Sequence, residues 1–415
     1  MTANSNGIET MTHTKLARRD VMKSLAVLGP LAAGGSALAA TGPSRRDVAD
    51  VLTTIKVTEL KTIRLEFPGR LPVQWNAIKQ SGGGPPKDRI LELHTDQGIV
   101  GRVRPKGPQS LISGSAFDRI KGQNLMETER IWDRMYRLER KPVAKGDYIK
   151  AIGSLDVAIW DIVGQALGLP VHRVLGTFRT QLPVYAAGGY YAEDKGIREL
   201  VKEMEGYVDE GFRVVKMKVG GAPFRQDVER VAAVRKALGP DIGIMLDANN
   251  AWHAYQAIRF GRAVEDYQPY WFEEPVVADD FDGCAEVRQA LDMPIVAGEN
   301  EYTRWGTRDL IEARSADILN LDVIKAGGIT EYRKIAALAS AYHVPVAPHG
   351  TTQMSIHTVA STPNALIMEV YPQARQYFNP TLPPIAVKDG HATAPEAPGL
   401  GLEFDEQLIA KYRVN

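Results

Sequence analysis

From residue 182 onward the chain repeats one unit: a short apolar run, a charged residue at its end, then a stretch of helical periodicity. The runs and their charged ends are VVKMKV with Lys216 and Lys218, IGIMLDAN with Asp247, YWFEEP with Glu273, PIVAGEN with Glu299, and ILNLD with Asp322. VPVAPHG with His349 and ALIMEV with Glu369 continue the series, and residues 182–187 predict the strand that opens it. Helical spacing of apolar positions covers 227–238, 255–266, 284–291, 307–313 and 331–342. Alternating strands and helices predict a (β/α) barrel of parallel strands, because β-α-β crossovers are right-handed. All the strand carboxyl ends then face one rim, where such barrels carry their chemistry.

The first half reads differently. Residues 55–67 alternate like a strand, and 89–95 and 99–103 form a hairpin around Asp96-Gln97-Gly98. Residues 128–138 and 148–167 are helical, which makes an α+β unit. Between its strands lies a Gly- and Pro-rich loop over 68–87, by its composition a surface connection or a lid. As a lid it offers Gln74, Asn76, Lys79, Gln80 and Ser81 to a polyhydroxylated ligand, or Leu71 and Trp75 to an aromatic one. After Tyr371 the pattern breaks into a Pro-rich tail. The expected organisation is a signal segment over 1–40, an α+β capping domain over 41–176, a barrel over 177–375, and a tail over 376–415 that returns to the cap.

Composition narrows the classes. The 415 residues carry 50 basic and 50 acidic side chains, so no bulk charge recommends a nucleic-acid partner. Cys284 is the single cysteine, which excludes an intrachain disulfide and a cysteine-built metal site. The amino terminus holds Arg18-Arg19, a modest apolar stretch over 24–40 and an Ala37-Leu38-Ala39 triplet, the ordered parts of a twin-arginine export signal. That stretch is shorter than the ~20 residues of a bilayer span and contains Pro30, Gly34 and Gly35. The expectation is a folded enzyme exported to the periplasm, with no stable membrane span.

Asp247, Glu273 and Glu299 end three consecutive predicted strands, and neighbouring strands lie ~4.8 Å apart. One acidic residue in such a place reads as a helix cap; three in register repel one another unless a cation joins them. Oxygen-only ligands suit Mg²⁺, with Mn²⁺ as the alternative. Lys216 and Lys218 are two apart on one strand and share a face, while Val215, Met217 and Val219 leave the other face apolar. Two inward ammonium groups are expected to lower each other's pKa towards that of a base. Asp322 and His349 end the sixth and seventh predicted strands, where a carboxylate fixes the imidazole tautomer and favours its protonated form. His357, on the following helical stretch, reads as a satisfied core histidine.

The combination KMK, LDAN, FEEP, AGEN, DVIKAGG, PHG and MEV resembles the enolase superfamily, and within it the mandelate racemase group. The resemblance implies an α/β fold, a modified TIM barrel of the (β/α)7β type under an α+β capping domain formed by the amino-terminal part and the carboxy-terminal tail. It implies Mg²⁺ on Asp247, Glu273 and Glu299, and bases at Lys218 and the His349–Asp322 pair, with Lys216 tuning Lys218. Glu369 is implied to hydrogen-bond the substrate carboxylate, with Asn249 and Lys325 in supporting substrate-binding positions. Homo-oligomers are the implied assembly. Glu299 and Asp322 separate this chain from the muconate-lactonizing branch, which usually has Asp and Lys there.

Reactions of this group begin with removal of a proton beside a carboxylate and pass through an enediolate. The expected activity on a small carboxylate substrate is dehydration of an acid sugar to a 2-keto-3-deoxy acid, with protonated His349 helping the β-hydroxyl leave. Racemisation of a 2-hydroxy acid is the alternative within the group. A periplasmic carboxylate-binding protein on an inactive barrel is the alternative from another class.

Overall fold

In the computed structural model, residues 54–137, 145–372 and 380–414 are described. The twin-arginine segment lies outside them. The described chain opens with β1 (Val57–Glu66), β2 (Gln74–Trp75), β3 (Gln80–Ser81), β4 (Lys87–Thr95) and β5 (Val100–Val103). Over its second half β1 buries Ile63 and Leu65 and exposes Arg64 and Glu66, the alternation of a strand with one wet face. It pairs antiparallel with β4, and β4 with β5 through the predicted hairpin.

Helices α1 (Thr128–Tyr136) and α2 (Asp147–Leu167) follow. Apolar residues surround α2 almost completely, and it is buried from Tyr148 to Gly164 apart from Lys150, as an all-round apolar helix must be. Gly153 brings its backbone onto the barrel: a Cβ there would lie 2.1 Å from the Ile324 carbonyl oxygen, two residues beyond Asp322. Asp156, one turn further along, accepts the Thr330 amide at 2.9 Å, and burial pushes its carboxyl up to about 7.

The barrel then runs β6 (Gln181–Ala187), α3 (Ile197–Asp209), β7 (Val214–Lys218), α4 (Phe224–Leu238), β8 (Gly243–Asp247), α5 (Ala254–Val264) and β9 (Trp271–Glu273). It continues with α6 (Phe281–Ala290), β10 (Ile295–Ala297), α7 (Thr303–Glu312), β11 (Ile318–Leu319), α8 (Ile329–Ala341), α9 (Thr352–Ser361) and β12 (Met368–Val370). Neighbouring strands pair in parallel from β12 through β6 to β11. The fold is the modified barrel with an α+β cap that the motifs implied.

Three differences from the sequence reading have local causes. The seventh strand is reduced to single parallel bridges, Leu319 to Val346, Val346 to Ala365 and Asp322 to His349. Pro345 and Pro348 remove amide donors on either side of Val346, so a continuous ladder cannot form. The barrel helices begin up to four residues earlier than their apolar periodicity suggests, because their first turns are largely polar or small, as in Thr303-Arg304-Trp305-Gly306. Helix α3 lies outside the helical stretches expected from the sequence, although Leu200, Met204 and Tyr207 are buried at helical spacing. The carboxy-terminal segment touches both parts: β13 (His391–Thr393) pairs with β6, and after α10 (Glu406–Tyr412), β14 (Arg413–Val414) pairs with β1.

His357 is a core histidine, as expected. Its Nδ1 accepts the His172 amide at 3.2 Å, and its Nε2 donates to the Leu400 carbonyl at 2.9 Å. Burial pushes its pKa down to about 4, and protonation would also set Nδ1 against the His172 N–H. The unfolded chain takes up this proton near pH 6.5 and the folded chain only near pH 4, so stability present above pH 6.5 is lost on acidification. Native protein should lose about 3 kcal/mol between pH 7 and 4 through this residue, and His357→Gln should flatten that part of a denaturant-derived stability profile.

Candidate active site

The barrel strands sort their side chains by alternation. Val215, Met217, Ile244, Leu246, Phe272 and Ile295 face outward into the large core shared with the helices. Tyr185, Met245, Trp271, Val296 and Ile318 form a separate inner cluster. Lys216 and Lys218 alternate with the outward residues, and both are buried. Register puts Lys218 beside Asp247 and Asp247 beside Glu273, so three of the expected groups end adjacent strands at one level.

The inner ion network is dense. Lys216 Nζ lies 2.8 and 3.0 Å from the Glu273 oxygens, 2.7 Å from Glu369 Oε1 and 3.7 Å from Asp247 Oδ2. Lys218 pairs with Asp247, and its ammonium sits 4.9 Å above the Tyr190 ring. Burial opposes the charged form of both lysines, yet both are held above the usual lysine range, Lys216 by Glu273 and Glu369 and Lys218 by Asp247. Lys216 does lower Lys218, as expected, but the surrounding carboxylates outweigh that repulsion, so the net direction is upward rather than towards a base.

Glu273 receives further hydrogen bonds from Trp271 Nε1 at 3.1 Å and Asn320 Nδ2 at 3.0 Å, while burial pushes its carboxyl up. Glu299 stands 3.1 Å from His349 Nε2 and 3.4 Å from Lys325 Nζ, and these cations overcome burial to hold it low. Each carboxylate thus faces an internal cation. Among the described residues no three His, Cys, Asp or Glu side chains form a ready metal-ligating group.

On the other side of the rim, Asp322 Oδ2 meets His349 Nδ1 at 3.2 Å. Its Oδ1 accepts the amides of Ile324 and Lys325 at 3.0 and 2.9 Å. Burial would lower the His349 pKa, but Glu299, Glu369 and the Asp322 hydrogen bond raise it. Glu369 Oε2 accepts the Gly350 amide at 2.6 Å and the Tyr371 hydroxyl at 2.9 Å. Against its burial, Lys216 and His349 hold Glu369 well below the usual carboxylate range. An ionised Glu369 accepts hydrogen bonds, so the donor implied for a substrate carboxylate is better supplied by Lys216 beside it. Asn249 donates its amide to Asp247 Oδ1 at 2.9 Å, and its own buried side-chain oxygen has no hydrogen-bond partner within the described chain.

Several contributors escaped the sequence reading. Tyr371 and Asn320 lie two residues from Glu369 and Asp322, so period-two spacing pointed to them. Tyr185 reaches Lys216 Nζ at 3.4 Å from the first barrel strand. Lys106, from the segment after β5, pairs with Asp322, a contact without local signal. The Gly- and Pro-rich loop is not a plain connection: β2 and β3 form a hairpin, and Trp75 and Tyr191 exchange two backbone hydrogen bonds of 2.9 Å under stacked rings. Arg230 lies 3.9 Å over the Tyr191 ring and donates to the Lys218 carbonyl at 2.9 Å, joining the hairpin to the lysine strand. Cys284 is buried with its thiol pushed up to about 12, as a spectator residue should be.

Comparison with known proteins identifies the family and the fold. The family described as enolase C-terminal domain-like matches residues 199–408, and the mandelate racemase/muconate lactonizing enzyme N-terminal domain matches 87–176. An arabinonate dehydratase from Saccharolobus solfataricus is 32% identical over 348 residues, covering 81% of this chain and 93% of that protein. An enolase from Bradyrhizobium solved with magnesium and mandelic acid is 30% identical with a TM-score of 0.77, covering 88% of this chain and 99% of its own. An L-talarate/galactarate dehydratase variant solved with Mg and L-glucarate is 26% identical with a TM-score of 0.78, covering 93% and 98%.

The residues here fit that metal. Asp247, Glu273 and Glu299 offer hard oxygen donors at the ends of neighbouring strands, each now turned to Lys218, Lys216 or His349 rather than to a shared point, and the buried side-chain oxygen of Asn249, two residues from Asp247, has no partner among the described residues. Among the described residues no helix is long and apolar enough to cross a membrane. With fold, rim and relatives in agreement, the chain belongs to the mandelate racemase/muconate lactonizing enzyme family of the enolase superfamily.

Proposed function

We propose that the protein dehydrates an acid sugar to a 2-keto-3-deoxy acid. The observation that carries this reading is the placement of two proton carriers, Lys218 and His349, on separate sides of one carboxylate-lined rim. Likeness over most of the chain to an arabinonate dehydratase supports the sugar-acid class.

Asp247, Glu273 and Glu299 would hold magnesium, which supplies positive charge to the enediolate oxygens when bound. Were Asp247 engaged as a ligand, Lys218 would lose the carboxylate that pairs with it in this structure and would be freer to act as a base. Lys218 takes the C2 proton and the electron pair passes into the carboxylate as an enediolate; the enediolate then collapses to the C2–C3 double bond as the C3–O bond breaks, and His349 protonates the departing hydroxide to water. The enol then tautomerises to the 2-keto acid. Lys216 donates to the substrate carboxylate, with Glu369 2.7 Å away and Tyr371 hydrogen-bonded to Glu369 on the same side. Arg18-Arg19 and the Ala37-Leu38-Ala39 triplet support twin-arginine export of the folded enzyme to the periplasm.

Racemisation is the second reading, favoured by the same pair of proton carriers and by the related structure that holds mandelic acid. Proton NMR over a panel of aldonates, aldarates and 2-hydroxy acids with Mg²⁺ separates the two. A new keto-deoxy methylene signal from a sugar acid is expected; inversion of a 2-hydroxy acid without that signal would move the assignment to racemase.

A further inference from the structure

Lys106 enters the site from the cap rather than from the barrel. It follows β5 in the run Arg104-Pro105-Lys106-Gly107, and its main chain is clamped to α2: the Ser154 hydroxyl accepts its amide at 2.9 Å and lies 3.0 Å from its carbonyl. The Lys106 side chain, 31% exposed, extends to Asp322 Oδ2, on a side chain that is fully buried. That same oxygen meets His349 Nδ1, while Asp322 Oδ1 is occupied by the two backbone amides. Gly350 adjoins the pair: a Cβ there would make ordinary van der Waals contact with Lys106 Nζ at 3.6 Å and Asp322 Oδ2 at 3.4 Å.

The backbone amides fix one end of the Asp322 carboxylate, and the other end is shared between a cap-borne ammonium and the imidazole. We propose that Lys106 is a positioning residue for the His349 arm, so that the leaving-group step depends on the cap while proton abstraction by Lys218 does not. This rests on the dehydratase reading for its chemistry. Lys218 has its own partners on β7 and β8 and makes no contact with the Lys106 segment among those described. Loss of Lys106 leaves Asp322 buried with one donor fewer, free to turn away from Nδ1, and a misplacement of that kind typically costs around 100-fold in rate.

The test compares two signals in one reaction. In D₂O with Mg²⁺ and the sugar acid the wild type dehydrates, Lys106→Met should form keto-deoxy product roughly 10- to 100-fold more slowly while still exchanging the C2 proton, raising the ratio of exchange to elimination. Lys106→Ala should regain elimination with added methylammonium in a saturable manner, because the partly exposed site admits a small cation. A loss of exchange and elimination in equal proportion, or an unchanged product rate, would overturn the proposal. A second readout does not depend on the reaction: the downfield Nδ1–H resonance of His349, assigned by its absence in His349→Gln, should shift or broaden in Lys106→Met. An unmoved resonance refutes the positioning role. If the wild type makes no keto-deoxy product from any sugar acid, the functional reading fails, and this resonance still decides the role of Lys106.

Discussion

Lys218→Ala is expected to lower turnover by about 1,000-fold or more while leaving the fold intact, in the range that removal of a positioned general base produces. The reason is geometric. Lys218 is buried, pairs with Asp247 and lies over Tyr190, so neither bulk water nor a neighbouring amine can replace it. Lys216 lies two residues away but is bound to Glu273 and Glu369, an engagement that keeps it charged and unfit as a substitute base. The check is kcat on the substrate found by NMR, with thermal unfolding as the control. Turnover within tenfold of wild type would remove Lys218 from the base role.

Glu273→Gln should be the most damaging single change to both the metal site and the fold. The Glu273 carboxylate receives Lys216, Trp271 Nε1 and Asn320 Nδ2 at once, and it is fully buried. A glutamine places an NH₂ donor among those donors and leaves the Lys216 charge undercompensated. Breaking a buried pair in this way costs about 3 kcal/mol or more, to be read from denaturant unfolding of magnesium-free protein. Calorimetry should show Mg²⁺ affinity reduced at least tenfold, as expected for loss of one of three charged ligands. Unchanged affinity would place the metal elsewhere.

Much of this site could be read from strand periodicity. Apolar runs ending in charge located the rim, and the alternation of Lys216 and Lys218 with Val215 and Met217 gave their inward direction, because side chains on a strand point to opposite faces in turn. The electrostatic state of the lysines was not legible, since it depends on how many carboxylates surround each ammonium, and Glu369 reaches Lys216 from a strand distant in sequence. The seventh strand was visible as a run but not as bridges, although Pro345 and Pro348 stood in plain view. Lys106 carried no signal: it is separated from Asp322 by 216 positions, and its approach depends on how α2 docks through Gly153. The hairpin of β2 and β3 read as a loose loop because its hold is the pairing of Trp75 with Tyr191, far along the chain. Local pattern therefore gave the elements and their faces, whereas contacts between cap and barrel required the fold.

The proposed reaction removes a proton beside a carboxylate at a rim where Asp247, Glu273 and Glu299 would hold the metal. The most direct measurement is the loss of the C2–H proton NMR signal of a sugar acid in D₂O, followed with and without Mg²⁺. Exchange is expected to require Mg²⁺, to disappear in Lys218→Ala, and to accompany keto-deoxy product in the wild type. Absence of exchange with every aldonate, aldarate and 2-hydroxy acid tested, in protein shown to bind Mg²⁺, would contradict the proposed reaction.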